Sequence, residues 1–331
     1  MERFALAAAV VLGFALTAAL CSLFVPLRRV LERREQQQQP VQSEQPRPAP
    51  LRAPLWGGLC AAAGTVAAVG VGWLAACAGQ PELLGSEGRL MTRLLTALAG
   101  ALAFGAVGLA EDLARMRSPA ALGLRRDVRL LLEALAAAFV LLLLQAAGCL
   151  PRGLGVPGAG YVLLGGAVPL LWAVLMVTLA ECARVAERDE GTVCGAAFAA
   201  MLALMMVEAG LGVPGLAVLP GALAGALVAL GLWTFPPAKL GAGCCGSLLA
   251  AGAIGCIPLS LDMTSLTVPL ALPFWAAGGL WAAQLLCAKR TGKPLRCWVK
   301  KHKMSPETVF LCSFALSAVG YVLALALLRW C

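Results

Sequence analysis

Adjacent carboxylates at Glu111–Asp112, a second acidic group at Glu181, Glu187, Asp189 and Glu190, and a basic run from Lys289 to Lys303 are the most chemically capable residues of this chain. Clustered carboxylates offer oxygen ligands to a cation, and arginine and lysine offer donors to phosphate. Arg115, Arg117, Arg125, Arg126, Arg129, Arg184 and Arg188 lie close to the acids in sequence. Two readings therefore stand side by side: mutually paired charge, or a site for a cation or an anionic substrate. His302, the only histidine, falls inside the basic run and is either a phosphate donor or an ordinary loop residue. An adjacent Glu–Asp pair says little alone, but several polar clusters on one side of a membrane say more.

The elements that must hold these residues are apolar. The chain is 60% hydrophobic and only 13% charged, and a spanning helix needs about 20 apolar residues. Ten segments meet that need: Phe4–Leu27, Leu55–Cys77, Leu90–Ala110, Leu130–Leu150, Tyr161–Ala180, Thr192–Gly210, Val213–Phe235, Gly246–Leu261, Thr267–Ala288 and Val309–Leu328. The expected fold is an all-α, polytopic integral membrane protein with ten transmembrane helices. If Arg28–Pro54 is cytoplasmic, strict alternation puts the gaps at 111–129, 181–191, 236–242 and 289–307 on the same face. These five gaps hold 21 of the 26 Lys and Arg residues. The positive-inside rule then places both termini on the outer face and both acidic clusters on the cytoplasmic face, where carboxylates are costly unless wetted, paired or used.

The net charge of +9 is accounted for by this topology and by attraction to anionic lipid headgroups; no nucleic-acid motif competes with it. The first segment reads as a retained helix, because it lacks a small-residue cleavage site and runs into Arg28–Arg29. Most of the 13 cysteines fall inside apolar spans as small hydrophobes. Neither Cys244–Cys245 nor Cys182/Cys194 has zinc-like spacing, so no structural metal is expected on them. Residues 32–54, with their Gln run and five prolines, read as a flexible cytoplasmic loop. The whole of 1–331, this loop included, reads as a single transmembrane helical domain. A transporter is disfavoured by the lack of an obvious inverted repeat or paired broken helices.

From about Arg52 onward, the order of motifs resembles the bacterial phospho-N-acetylmuramoyl-pentapeptide transferase family, within the polyprenyl-phosphate N-acetylhexosamine-1-phosphate transferases of glycosyltransferase family 4. Ala53–Leu59 looks like TPTMGGL, and Gly108–Arg115, with Glu111–Asp112, is similar to GFxDDYxK. Gly123–Leu124, Arg129 and Glu133 stand where the family carries GL, Lys and Gln. Pro237–Ala238 and Gly246–Leu248 are similar to PAxxFMGDxGSL, and Gln284, Lys289 and Thr291–Lys293 precede the position of the HHH motif. The resemblance implies a ten-helix, Mg2+-dependent enzyme of the bacterial cytoplasmic membrane, its active face cytoplasmic. It would move a sugar phosphate from a UDP-sugar to undecaprenyl phosphate with release of UMP, as in the making of lipid I for peptidoglycan. By the same resemblance Asp112 and Glu111 are the catalytic acids, Glu187 and Glu190 metal ligands, and Arg115, Arg129, Lys289, His302 and Lys303 phosphate-binding. A homodimer or a cell-wall synthesis protein would be its protein partner.

The departures are specific. Glu111 replaces the first Asp; Glu181, Arg184, Ala186, Glu187 and Glu190 replace the Asn, Thr and Asp positions of NxxNLTDGLDG. Cys244 stands at the Asp of GD, Thr234 at a nearby Asn, and only His302 of three histidines is kept. A displacement of about 1 Å can cost a hundredfold in rate, and a thiol is a poor Mg2+ ligand. The alternative is therefore a catalytically inactive paralog that binds a polyprenyl lipid or assists membrane assembly. On sequence grounds, Asp112→Ala is expected to lower turnover without changing the amount of folded protein.

Overall fold

The computed structural model describes residues 2–38, 56–79, 89–117, 123–151, 153–156, 160–163, 165–187, 192–213, 215–235, 239–291 and 305–330. Its helices are α1 (Glu2–Gln38), α2 (Gly57–Gly79), α3 (Arg89–Arg117), α4 (Arg126–Ala146), α5 (Ala167–Ala186), α6 (Thr192–Gly210), α7 (Val218–Thr234), α8 (Gly243–Ser260), α9 (Thr267–Leu270), α10 (Leu272–Thr291) and α11 (Pro306–Trp330). Each expected apolar segment has a helical counterpart among them. Seven of the described helices are long and apolar enough to cross a membrane, or eight if the bent pair Thr264–Leu270 and Leu272–Cys287 counts as one span. α7 is a shorter apolar helix, and α4 is not among the seven. The chain is an all-α polytopic membrane protein. Of the proposed loop 32–54, residues up to Gln38 continue α1 and the rest lie outside the described residues.

Several boundaries differ from the sequence reading, among them the end of α1, the end of α4 and the start of α7; three further differences shape the fold around the site. Residues 161–163 are not helix. Gly153–Val156 (β1) and Gly160–Leu163 (β2) pair antiparallel, with Gly153 opposite Leu163. The surrounding glycines and prolines break a helix but suit a turn, and Gly165 takes a positive φ of 58° before α5 begins. The ninth segment bends by 62° at Ala271, just ahead of Pro273, which has no N–H to carry a helical hydrogen bond across the break but is tolerated in the first turn of a new helix. Finally, α3 and α5 extend past their apolar stretches, so Glu111, Asp112, Arg115, Glu181 and Arg184 are helical. Their spacing then permits i,i+3 and i,i+4 pairing.

The bundle is organised around α8, every residue of which is buried. α3 packs along it most extensively, and α2, α5 and α6 also contact it. Small residues make the approach possible, since close helix packing in lipid depends on them. A Cβ at Gly108 would collide with the Cys244 carbonyl, and one at Gly58 with the Gly246 nitrogen. Gly108→Leu is accordingly expected to lower stability by about 1–3 kcal/mol or more, read as a lower unfolding midpoint in detergent. Gly70→Ala, where nothing lies within 4 Å of an added Cβ, should leave the midpoint unchanged or slightly raised.

The outer helices reverse the pattern of a water-soluble protein. On α4, Leu131, Leu135 and Leu142 are exposed, while Arg129, Glu133, Ala136, Ala137, Val140 and Leu144 are buried. A helix with leucine outward and an ion pair inward suits lipid, where ionisable residues face the bundle interior.

Candidate active site

The first turn of α8 has buried N–H groups with no intrahelical acceptor and no capping side chain of its own. Its N-cap is Ala242, which has no side-chain oxygen, and Gly243 follows at φ 68°. Asp112, on the penultimate turn of α3, supplies the missing acceptor. Its Oδ1 accepts from the Cys244 N–H at 3.0 Å and its Oδ2 from the Cys245 N–H at 2.9 Å. This is an N-cap supplied from another helix, with the carboxylate charge at the positive end of the helix dipole. Gly108, one turn earlier on α3, removes the bulk that would hold the helices apart. Asp112 is fully buried.

Two further groups converge on it. Glu187, at the C-terminal end of α5, accepts a hydrogen bond on Oε2 from the Cys244 thiol at 3.0 Å. Oxygen atoms of Asp112 and Glu187 and the Cys244 Sγ all lie within 4.8 Å of one another, a spacing compatible with metal binding. Arg115 sits against the cluster: Nη1 is 3.2 Å from Glu187 Oε2 and 3.9 Å from Asp112 Oδ1, and Nη2 donates to Glu111 Oε1 at 3.2 Å. Its side chain is 20% exposed, against 3% for Glu111.

A second layer adjoins the first. Arg129 Nε donates to Glu181 Oε1 at 2.8 Å; the same guanidinium lies 3.8 Å from Glu111 and 3.9 Å from Glu133. Arg184 donates to Glu181 Oε2 at 2.7 Å. Both oxygens of Glu133 and Oε2 of Glu111 are buried without a hydrogen-bond partner. The C-terminal ends of α3 and α5 and the N-terminal ends of α4 and α8 therefore meet at one end of the bundle, as the alternation of charged gaps requires.

Of the residues expected to act, Glu111, Asp112, Arg115, Arg129, Glu187 and Cys244 come together here. Both arginines are engaged by three carboxylates, but the Arg115 side chain is 20% exposed against 8% for Arg129, which makes Arg115 the more accessible cation. Glu190, His302 and Lys303 lie outside the described residues, and Lys289 belongs to α10 with no description of its side chain. Sequence reasoning missed the trans cap, and with it the structural duty of Asp112. The usable signal was Gly241–Ala242–Gly243 opening an apolar helix with no capping side chain. The expectation that Asp112→Ala spares folding is revised accordingly: that change leaves two buried N–H groups without an acceptor.

Residues 94–262, about half of the chain, match glycosyl transferase family 4. The chain belongs to that family. The matched stretch contains every residue of the cluster just described, from Glu111 to Cys244, so the family-defining part of the chain and the buried polar centre coincide. No curated protein matches the chain. The donor set of this chain is mixed: Asp112 and Glu187 offer oxygen and Cys244 offers sulfur. Two carboxylates suit a hard cation that prefers oxygen, whereas the Cys244 sulfur does not suit Mg2+.

Proposed function

We propose that this family member transfers a sugar phosphate from a UDP-sugar to undecaprenyl phosphate, releasing UMP. In this reading the chain crosses the bacterial cytoplasmic membrane ten times, with both termini outside and the cluster at the cytoplasmic face. The observation that carries it is the convergence of Asp112, Glu187, Arg115 and Cys244 from three helix ends within the family-matched stretch. The face follows from the 21 Lys and Arg residues in the alternate gaps.

The chemistry asks little covalent work of the protein. An oxygen of the lipid phosphate attacks the sugar-linked phosphorus of the donor, the bond to the bridging pyrophosphate oxygen breaks, and UMP departs. Such transfers depend on positioning and on countering charge in the transition state. Arg115 would hold phosphate oxygens through a guanidinium already aligned by Glu111. Asp112, locked by two backbone N–H groups, would orient the attacking phosphate. A bound divalent cation, held by Glu187 and Asp112, would supply further positive charge at the pyrophosphate.

The test is UMP release by the full chain in undecaprenyl-phosphate micelles, comparing UDP-MurNAc-pentapeptide with UDP-GlcNAc. Release from one donor that requires the lipid phosphate supports the proposal; none from either, by folded protein, overturns it. One observation favours a second reading, a non-catalytic lipid-binding paralog: Asp112 caps α8 and Arg115 is paired with Glu111 and Glu187. Retained binding of undecaprenyl phosphate without turnover would select that reading.

A further inference from the structure

We propose that Asp112, Glu187 and Cys244 form a site for a thiolate-accepting divalent cation of the zinc class rather than for Mg2+. This deepens the reading above by naming the cation of the same site. The three side chains come from positions 112, 187 and 244, on three different helix ends, so no Cys spacing in the sequence could announce them. Their ligand atoms lie within 4.8 Å of one another. A tetrahedral zinc ion, bound to oxygen at about 2.0–2.2 Å and sulfur at about 2.3 Å, requires ligand atoms roughly 3.5 Å apart. The Cys244–Glu187 pair is already inside that spacing, and the 4.8 Å limit on the set leaves roughly 1 Å of closure onto an ion. The Cys244 Sγ and Glu187 Oε2 are 3.0 Å apart with the thiol proton between them; cation binding would replace that proton and release it to solvent.

Donor chemistry sets the class. Mg2+ demands near-octahedral oxygen coordination, while a set of two oxygens and one sulfur suits zinc, cobalt and similar ions. Three protein ligands also leave a fourth position for a phosphate oxygen or water, the pattern of a catalytic rather than a structural zinc site. Asp112 comes with its orientation already fixed by the Cys244 and Cys245 N–H groups, as ligands at such sites are fixed by the groups behind them.

Charge balance points the same way. The described network gathers five carboxyl groups (Glu111, Asp112, Glu133, Glu181 and Glu187) around three guanidiniums (Arg115, Arg129 and Arg184), so acids outnumber the fixed cations there. Arg115 is the apparent obstacle, because its Nη1 occupies Glu187. It has somewhere else to go: Nη2 is already on Glu111 Oε1, and Glu111 Oε2 is buried with no hydrogen-bond partner. A cation taking Glu187 would turn Arg115 fully onto Glu111, which would satisfy that orphaned oxygen. That unpartnered acceptor beside the pocket gives Arg115 a place to bind when a cation takes Glu187.

Co2+ is the probe, because its bond to thiolate gives a charge-transfer absorption that oxygen ligands do not. The full-length protein in detergent should develop that band with one equivalent of Co2+. The band should be lost in Cys244→Ser and Glu187→Gln, and kept in Cys312→Ser, which removes an exposed thiol on α11. Stoichiometric Zn2+ should abolish it, and a hundredfold excess of Mg2+ should not. Cys244→Ser keeps the shape of the side chain and a donor for Glu187, so it should lose the band yet unfold near the wild-type temperature, which separates ligand loss from misfolding. A folded wild type with no band, a band that survives in Cys244→Ser, or displacement by Mg2+ would each overturn the assignment. Mg2+-driven UMP release without a cobalt band would sink the zinc-class site alone; a cobalt band without UMP release would sink the transferase reading alone.

Discussion

Asp112→Ala is expected to abolish turnover and to lower the unfolding midpoint of the detergent-solubilised protein together. The two losses share one cause. Both carboxylate oxygens accept from α8, at 3.0 and 2.9 Å, in a place with no solvent exposure. Alanine removes both acceptors at once. Loss of an N-cap costs about 0.5–2 kcal/mol, and each buried N–H left unpaired costs about 1–3 kcal/mol. Asp112→Asn separates the two roles: its amide oxygen still accepts one of the bonds, so its midpoint should fall less than that of alanine. Its turnover should fall nearly as far, because the negative charge is gone. Equal midpoints for wild type and Asp112→Ala would show that the cap does not hold α8.

The second large effect is expected at Arg129. Its guanidinium is the counter-charge of Glu133, which is completely buried with neither oxygen hydrogen bonded, and it donates to Glu181 at 2.8 Å. Arg129→Met should destabilise the protein by up to about 3–5 kcal/mol, the usual cost of removing one member of a buried ion pair, less what Glu133 recovers by taking up a proton. Adding Glu133→Gln should restore a large part of that loss, because the stranded charge is then absent. A double-mutant cycle of unfolding midpoints measures this coupling. Additive effects of the two changes would mean that Glu133 does not depend on Arg129.

The resemblance of the Gly108–Arg115 segment to a family motif pointed to Asp112 before any geometry was known. Its neighbours were harder to read. Apolar length located the helices well because lipid imposes that length on any spanning segment. Length could not show where α3 and α5 end, since hydropathy stops at the first charged residue while the helix continues through Glu111–Arg117 and Glu181–Ala186. The hairpin at Gly153–Leu163 lay where apolar residues and glycines compete, and the glycines prevailed. The Cys244 position was legible only as a substitution. Its thiol contact with Glu187 and the α8 cap supplied by Asp112 depend on tertiary approach across 57 and 132 residues of sequence. No local pattern encodes them.

Glu187 offers the most direct test of the central claim, that the α3–α5–α8 junction is a phosphate-transfer site. Unlike Asp112 it caps no other helix; its carboxylate meets only Arg115 and the Cys244 thiol among the contacts described. The measurement is the steady-state rate of UMP release by Glu187→Gln with the donor that supports wild-type turnover, at matched amounts of folded protein. The account predicts a fall of about a hundredfold or more in kcat, the scale of losing a preorganised charged group, with an unfolding midpoint close to that of wild type. A Glu187→Gln protein that turns over at the wild-type rate would contradict it and place the chemistry elsewhere in the chain.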